Sequence, residues 1–335
     1  GINLFFIFLV PLIIKNGWPG AGLLIGWYRE GWVGYVFLSN LIASLLTLLF
    51  LLPELLQLRL QYDSKLLKDM LVYSWPIFIA NISFIINENI DKVFLKHLLP
   101  PGISEQELGI YGACYKIAIF LSIFIQAFRL GAEPFFFSHS KNKNAPDTYA
   151  RIMNYFVIAV CLIFVMLSAN IEILKYFIKG KDAAEQAIYW SGLRVVPILL
   201  FGYVSLGIYM NLSIWYKLSD QTRYGLYISG IGAILTIVLN IIFIPRYSYV
   251  ASAWITLTAY TTMMLLSYIW GQKNYPIPYN LKKNIGYLLA SICIVFVSFI
   301  VFKRNLIVGN MLFIIFTLVT VYIERKEIKV IFGIK

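Results

Sequence analysis

The sequence predicts an all-α integral membrane protein, a polytopic bundle of about ten transmembrane helices, and three observations carry that prediction. Of 335 residues, 60% are apolar and only 13% are charged, whereas soluble domains carry roughly 25% charged residues. Mean hydropathy is +0.77. Apolar runs separated by short polar punctuation recur along the whole chain, and a helix needs about 20 predominantly apolar residues to cross the hydrocarbon core. Barrel strands would alternate apolar and polar residues, but Ile292 to Phe302 is apolar on both faces apart from one serine.

Taken in order, the runs fall at about 2–14, 32–52, 70–96, 108–137, 149–178, 186–216, 223–244, 248–271, 284–302 and 305–323. The first is short. Gly1 opens directly on it, with no basic leader or small-residue cleavage site, which reads as a piece of a longer protein rather than a signal peptide. Pro76 lies early in the third run, Pro134 ends a polar stripe in the fourth and Pro197 interrupts the sixth, points at which membrane helices bend. No hydrophilic stretch exceeds about two dozen residues, so whatever the protein does happens inside or between its helices.

The net charge is +12, from 28 Lys and Arg against 16 Asp and Glu. The basic residues are scattered between apolar runs, so topology and lipid head groups explain them and a nucleic-acid partner does not. Fifteen cations fall on the side of the C-terminus, nine on the opposite side and four within spans, a bias that predicts a cytoplasmic C-terminus. Cys114, Cys161 and Cys293 lie far apart, and His97 and His139 are the only histidines. No metal site, catalytic Cys/His pair or disulfide framework can be built from them.

The informative residues are charges within the spans: Glu88, Asp91 and Lys92 in the third, Lys116, Arg129 and Glu133 in the fourth, and Arg194 in the sixth. At roughly 2.5–3.5 kcal/mol each at mid-helix, seven such groups facing lipid would cost on the order of 20 kcal/mol. A whole domain has a net stability of only about 5–15 kcal/mol, so these groups must pair, snorkel or face water. Tyr115, Ser122, Gln126, Arg129 and Glu133 are spaced to lie along one helical line, and Ser74, Asn81, Glu88 and Lys92 form a second stripe. Two polar faces predict a shared hydrated interior. The alternatives are snorkelling for Lys92, an intrahelical ion pair for Arg129 and Glu133, and packing contacts with Asn87 and Asn89 for Glu88 and Asp91. Lys116 and Arg194 sit deeper and read as functional.

Cations in both halves of the membrane suit a phosphate-bearing solute better than a cationic drug, because Arg and Lys are the natural phosphate partners. Tyr203, Tyr209, Asn211, Trp254, Thr256, Thr258 and Tyr260 add aromatic and hydroxyl groups suited to sugar contacts, although most such residues serve packing or the interfacial belt.

Four segments then carry a resemblance. The run Asn240 to Thr256, with Pro245-Arg246 followed by Ala251-Ser252-Ala253, resembles the helix, Pro-basic turn and small-residue helix start of the Wzx-type polysaccharide flippases of the MOP exporter superfamily. That superfamily also holds the lipid II flippases and the MATE exporters. Leu108-Gly109-Ile110-Tyr111 with Tyr115-Lys116, Asn89-Ile90-Asp91-Lys92, and Gly34 to Asn40 extend the likeness over nearly the whole chain. It implies fourteen helices in two six-helix lobes plus two, of which this chain looks like the last ten. Residues 1–69 would hold two helices of an incomplete N-terminal lobe and a cytoplasmic linker, 70–271 the six-helix C-terminal lobe, and 272–335 two additional helices with a cytoplasmic tail.

The function expected from this resemblance and the cationic interior is flipping of an undecaprenyl-pyrophosphate-linked oligosaccharide across the bacterial inner membrane, in O-antigen or related lipopolysaccharide and surface polysaccharide biosynthesis. Lys116, Arg129, Arg194, Lys92, Gln126 and Tyr115 are the substrate-path candidates. Glu88, Asp91 and Glu133 are the candidates for coupling to a proton or sodium gradient; no other cofactor is implied. Expected partners are the lipid-linked substrate, membrane lipids, and a glycan polymerase and glycosyltransferases of the same pathway. The rival readings are a MATE-like exporter of amphipathic cations, and a membrane-embedded polymerase or glycosyltransferase, which would need a larger external loop.

Overall fold

The computed structural model describes residues 4–29, 32–57 and 62–332, with the side chains of 328–332 left out. Arg59 and Lys335 of the basic count, and parts of the proposed linker and tail, lie outside the described residues. The helices are α1 (Phe5–Lys15), α2 (Gly34–Leu56), α3 (Ser64–Leu98), α4 (Ile103–His139), α5 (Ala145–Ala169) and α6 (Ala183–Leu218). A 52-residue helical run, Arg223–Asn274, follows, then α9 (Leu281–Val301) and α10 (Leu306–Phe332). At 1.5 Å per residue that run would be about 78 Å long, more than twice the hydrocarbon thickness. It breaks at Ser248, where φ is 51° and ψ is −139°, into α7 (223–247) and α8 (249–274).

Eight of the described helical runs are long and apolar enough to cross a membrane, the α7–α8 run counting once, and α1 is shorter. Several expected boundaries move. The turn placed at Pro245-Arg246 comes three residues later at Ser248, and both residues stay helical. The expected fifth span ends at Ala169 rather than 178, and residues 171–177 form a short helix and a 3-10 turn instead. Pro197 does interrupt the sixth span: α6 passes through a 3-10 turn at Gly192–Val195 and restarts at Val196, with the proline in the first turn, where its missing N–H costs nothing.

The chain divides into two compact units, Gly1–Leu67 and Lys68–Lys335. The first is centred on Phe6, Val10 and Tyr35, with Tyr35 stacked between Phe6 and Tyr28. In the second, α6 is the central helix. In its most apolar 18-residue window 78% of residues are buried, against 6% for α3. It packs on α4, α5 and α8, and two glycines permit the close approach. A Cβ on Gly207 would lie 2.9 Å from Phe156 and 3.0 Å from Ile125, and one on Gly202 would lie 3.5 Å from the Leu257 backbone. Small residues let helices approach where lipid gives no hydrophobic drive to associate.

Polar side chains hold the outer helices to this core. Glu324 of α10 is buried and accepts from Lys283 Nζ at 2.6 Å and Tyr287 OH at 2.9 Å, both on α9. Glu327 accepts from Tyr155 of α5 at 2.6 Å. At the far end of α10, Asn310 and Asn170 exchange amide hydrogen bonds at 3.1 Å. The break at Ser248 is held by its hydroxyl, which donates to Glu107, near the start of α4.

Because Gly207 faces two rigid core side chains, replacing it by Leu is expected to lower stability by about 1–3 kcal/mol through overpacking. Thermal unfolding of the detergent-solubilised protein checks this, with Gly112→Leu, which meets open space, as the neutral control.

Candidate functional site

The second unit contains a cavity of about 400 Å³ between α3, α4, α6, α7 and α8. Each helix contributes through its own spacing. On α6, Tyr209, Ser213 and Tyr216 follow one another at intervals of four and three residues, with Lys217 next in line, so one face delivers two phenols and a cation. On α4, Arg129 and Glu133 are one turn apart and both line the same space. Glu133 is shared between helices: its Oε1 accepts from Lys217 Nζ at 2.6 Å, and its Oε2 lies 3.8 Å from Arg129 Nε. Tyr73, Asn81, Thr222 and Ser229 complete the polar lining, and Thr222 donates to the Tyr73 carbonyl at 3.1 Å. Among the lining residues two cations face one carboxylate, and Asp220 lies near enough to act on Tyr73 from outside the lining.

A second polar cluster lies about 21 Å further along α4, fourteen residues away at 1.5 Å each. Its centre is Glu88 of α3. Tyr115 of α4 and Tyr203 of α6 donate to Glu88 Oε2, the latter at 3.1 Å, and Tyr260 of α8 donates to Oε1 at 2.7 Å. The Tyr203 hydroxyl, with one proton to share, also lies 2.5 Å from the Tyr115 oxygen. Next to it Asp91, 1% exposed, accepts from Tyr111 at 2.5 Å. Lys92 turns towards this group: its Nζ donates to the Glu88 carbonyl at 2.6 Å, lies 3.6 Å from Asp91 and sits 3.9 Å from the centre of the Tyr115 ring. The polar run continues between α3, α7 and α8, where Thr236 donates to Asn87 at 2.7 Å, Asn240 to the Thr236 carbonyl at 2.7 Å and Ser252 to Asn240 at 3.4 Å. Every member is paired, as buried polar groups must be.

These positions revise the expectation of one interior shared by all the span charges. Arg129 and Glu133 line the cavity; Glu88, Asp91, Lys92 and Tyr115 form the tyrosine cluster; Gln126 is half-buried between them on α4. Lys116 and Arg194 join neither group. Lys116 is exposed on the α4 stripe that also carries Phe120, Ile123 and Leu130. Arg194 is exposed as well and donates to Tyr249 at 3.3 Å, beside the α7–α8 break. The physical reason is rotational: Lys116 stands 100° round the helix from Tyr115, and Tyr115 takes the inward position. On α3 the buried stripe is Ser83, Asn87, Asp91 and Leu95, so the polar face is turned from the expected line through Ser74, Asn81, Glu88 and Lys92, and Ser74 is exposed.

Among the aromatic and hydroxyl candidates, Tyr203 and Tyr260 enter the Glu88 cluster and Tyr209 lines the cavity, whereas Trp254 and Thr258 are exposed, Thr258 bonding back to the Trp254 carbonyl. Sequence reasoning missed Lys217, Tyr111, Thr236 and Asn240 as members of these groups. Lys217 lies just past the expected sixth span, 186–216, and its ion pair with Glu133 joins residues 84 apart.

Glu88 satisfies three hydroxyls at once, so Glu88→Leu is expected to cost on the order of 1–3 kcal/mol of stability by stranding buried donors. Glu88→Gln, which keeps an acceptor, should cost less. Thermal unfolding of the two purified variants measures the difference.

Residues 76–242 match the MatE family model. A search of curated proteins by sequence returns no match. Among solved structures the chain is similar to "Lipid II flippase MurJ, inward closed conformation", with a TM-score of 0.55 and 16% identity over 98% of this chain and 67% of that one. That likeness is one of fold, an all-helical membrane bundle. The MatE match runs from α3 into α7 and so includes Glu88, Asp91, Arg129, Glu133 and Lys217, while Tyr260 falls beyond it.

Proposed function

We propose that the full protein is a flippase that moves an undecaprenyl-pyrophosphate-linked oligosaccharide between the leaflets of a bacterial inner membrane, for surface glycan assembly. The observation that carries this reading is the cavity wall in which Arg129 and Lys217 face a single carboxylate. An excess cation in a partly enclosed site at a helix-bundle end attracts an anionic headgroup, and guanidinium and ammonium together suit a diphosphate. The adjoining Tyr73, Asn81, Tyr209 and Tyr216 offer hydroxyl, amide and ring faces to a sugar. The polyprenyl tail needs no polar site and stays in lipid.

Transport against a gradient needs a group whose interactions differ between two states. Glu88 and Asp91 are the groups for that role, because four tyrosines and Lys92 on or against three other helices converge on them, and a shift of α3 against α6 and α8 would exchange these partners for a proton or a small cation. The MOP superfamily resemblance and the fold likeness to a lipid II flippase support the same direction.

The MatE match and the acidic tyrosine cluster also favour a second reading, export of amphipathic cations. The two readings part on the cavity cations. For a flippase, Arg129→Ala and Lys217→Ala should each lower headgroup-dependent flipping by about tenfold or more, the worth of one charge-assisted hydrogen bond. Lys116→Ala, outside the cavity, should stay within about twofold. Translocation of a fluorescent prenyl-pyrophosphate glycolipid in proteoliposomes containing the full-length protein measures all three. Unchanged lipid flipping in both cavity variants, with loss of cation export instead, would select the exporter.

A further inference from the structure

The first unit holds an open pocket of about 450 Å³ lined by Phe6, Tyr28, Trp32 and Tyr35 together with aliphatic residues of α1 and α2. Tyr35 is buried, lies parallel to Phe6 at 5.8 Å and to Tyr28 at 4.8 Å, and meets Trp32 edge-on at 4.8 Å. Trp32 is seated on Gly34, where a Cβ would fall 2.2 Å from its ring, yet 52% of its surface stays open. The Tyr35 hydroxyl accepts from the Arg29 amide at 2.7 Å, and the Tyr28 hydroxyl donates to the Phe6 carbonyl at 3.2 Å, so the connecting segment is pinned to both helices. Two local irregularities meet at the same place. Phe6 and Ile7 of the lining belong to a π-helical turn, Phe5–Leu9, a rare form that occurs frequently at functional sites. The connection 16–33 has the short helix Ala21–Ile25 as its regular structure among the described residues, and connections beyond about 12–15 residues usually serve a function. It also carries Trp18, Trp27 and Trp32, three of the eight tryptophans of the chain.

We propose that this pocket binds a pyranose ring of a glycan. A sugar ring has a face of C–H groups, which lies against the electron-rich face of an aromatic ring, and an edge of hydroxyls that needs water or polar tips nearby; Tyr and Trp supply both. The pocket between α5, α6, α8 and α9, with Val157, Ile208, Leu212 and Leu288 in its mostly aliphatic lining, has the character that suits an acyl chain, whereas four of the eight residues lining the first-unit pocket are aromatic. Belt aromatics stand among the head groups at the membrane surface; these four pack round one hollow and are held there by their own hydrogen bonds and by a glycine. The inference rests on the flippase reading for the source of the glycan, and it gives the sugar part of the cargo a site in the first unit besides the headgroup site in the second.

Saturation-transfer NMR on the full-length protein in nanodiscs tests this, with the N-acetylglucosamine tetramer as the probe. The wild type should transfer magnetisation to the ring C–H protons of the tetramer. Trp32→Leu, which keeps an apolar wall but removes the flat face, should lower the affinity by about tenfold, the worth of one aromatic contact, and Trp32→Tyr should retain most of it, which separates a lost ring face from unfolding. Gly34→Val, which displaces the ring without changing it, should also weaken binding. Trp18→Ala, an exposed tryptophan of the same connection outside the lining, should leave binding unchanged. No transfer in the wild type, or equal losses from Trp18→Ala and Trp32→Leu, overturns the inference. Quenching of tryptophan fluorescence by brominated phosphatidylcholine that disappears in Trp32→Leu and is not relieved by the tetramer makes this a lipid site and overturns it as well. Flipping of the glycolipid in proteoliposomes without tetramer binding overturns the inference alone; Trp32-dependent tetramer binding without flipping overturns the flippase reading alone.

Discussion

The ion pair between Lys217 and Glu133, with Arg129 at its shoulder, is the contact on which the architecture of the second unit turns. It answers the central difficulty of this sequence, that charge placed within apolar helices is costly unless paired or hydrated. Glu133 joins α4 to the last turn of α6, and the space left around that bridge is the cavity. Glu88 answers the same difficulty differently. It is met by three phenols from α4, α6 and α8, groups that are apolar in body and polar at the tip. One cluster leaves charge facing open space; the other encloses it.

The two clusters stand apart along α4, the cation-lined cavity towards its C-terminal end and the Glu88 group nearer its middle. The helices best suited to move are those least embedded. The most apolar stretch of α3 is mostly exposed, yet α3 carries Asn87, Glu88, Asp91 and Lys92, so the bonds that fix it against α6, α7 and α8 are largely polar. Such bonds can be exchanged for others of similar worth, whereas the packing of Gly202 and Gly207 of α6 against their neighbours has no alternative partner. The strained φ at Ser248, held by Glu107, marks the point at which α7 and α8 part company.

Much of this was legible from residue order, and the reasons are local. Span positions follow from unbroken apolar runs, and the restart of α6 follows from Pro197, because ring geometry and a missing N–H act within one turn. The inward face of α4 at Tyr115, Arg129 and Glu133 was readable from spacing alone. What was not readable was rotation and partnership. Lys116 and Arg194 read as deeper than Arg129, since depth is counted along the axis, yet they stand on exposed faces while their neighbours Tyr115 and Leu193 are buried.

The sequence by itself determined that the chain is a multi-span helical bundle with ionisable groups at bilayer depth, because hydropathy and helical period are properties of neighbouring residues. Only the tertiary structure decided which of those groups meet: Lys217 with Glu133 across 84 residues, Tyr260 with Glu88 across 172. Such pairings depend on the azimuth and height at which packed helices settle, and these are set by close packing around α6, by its glycines and by the break at Ser248, none of which a linear pattern records.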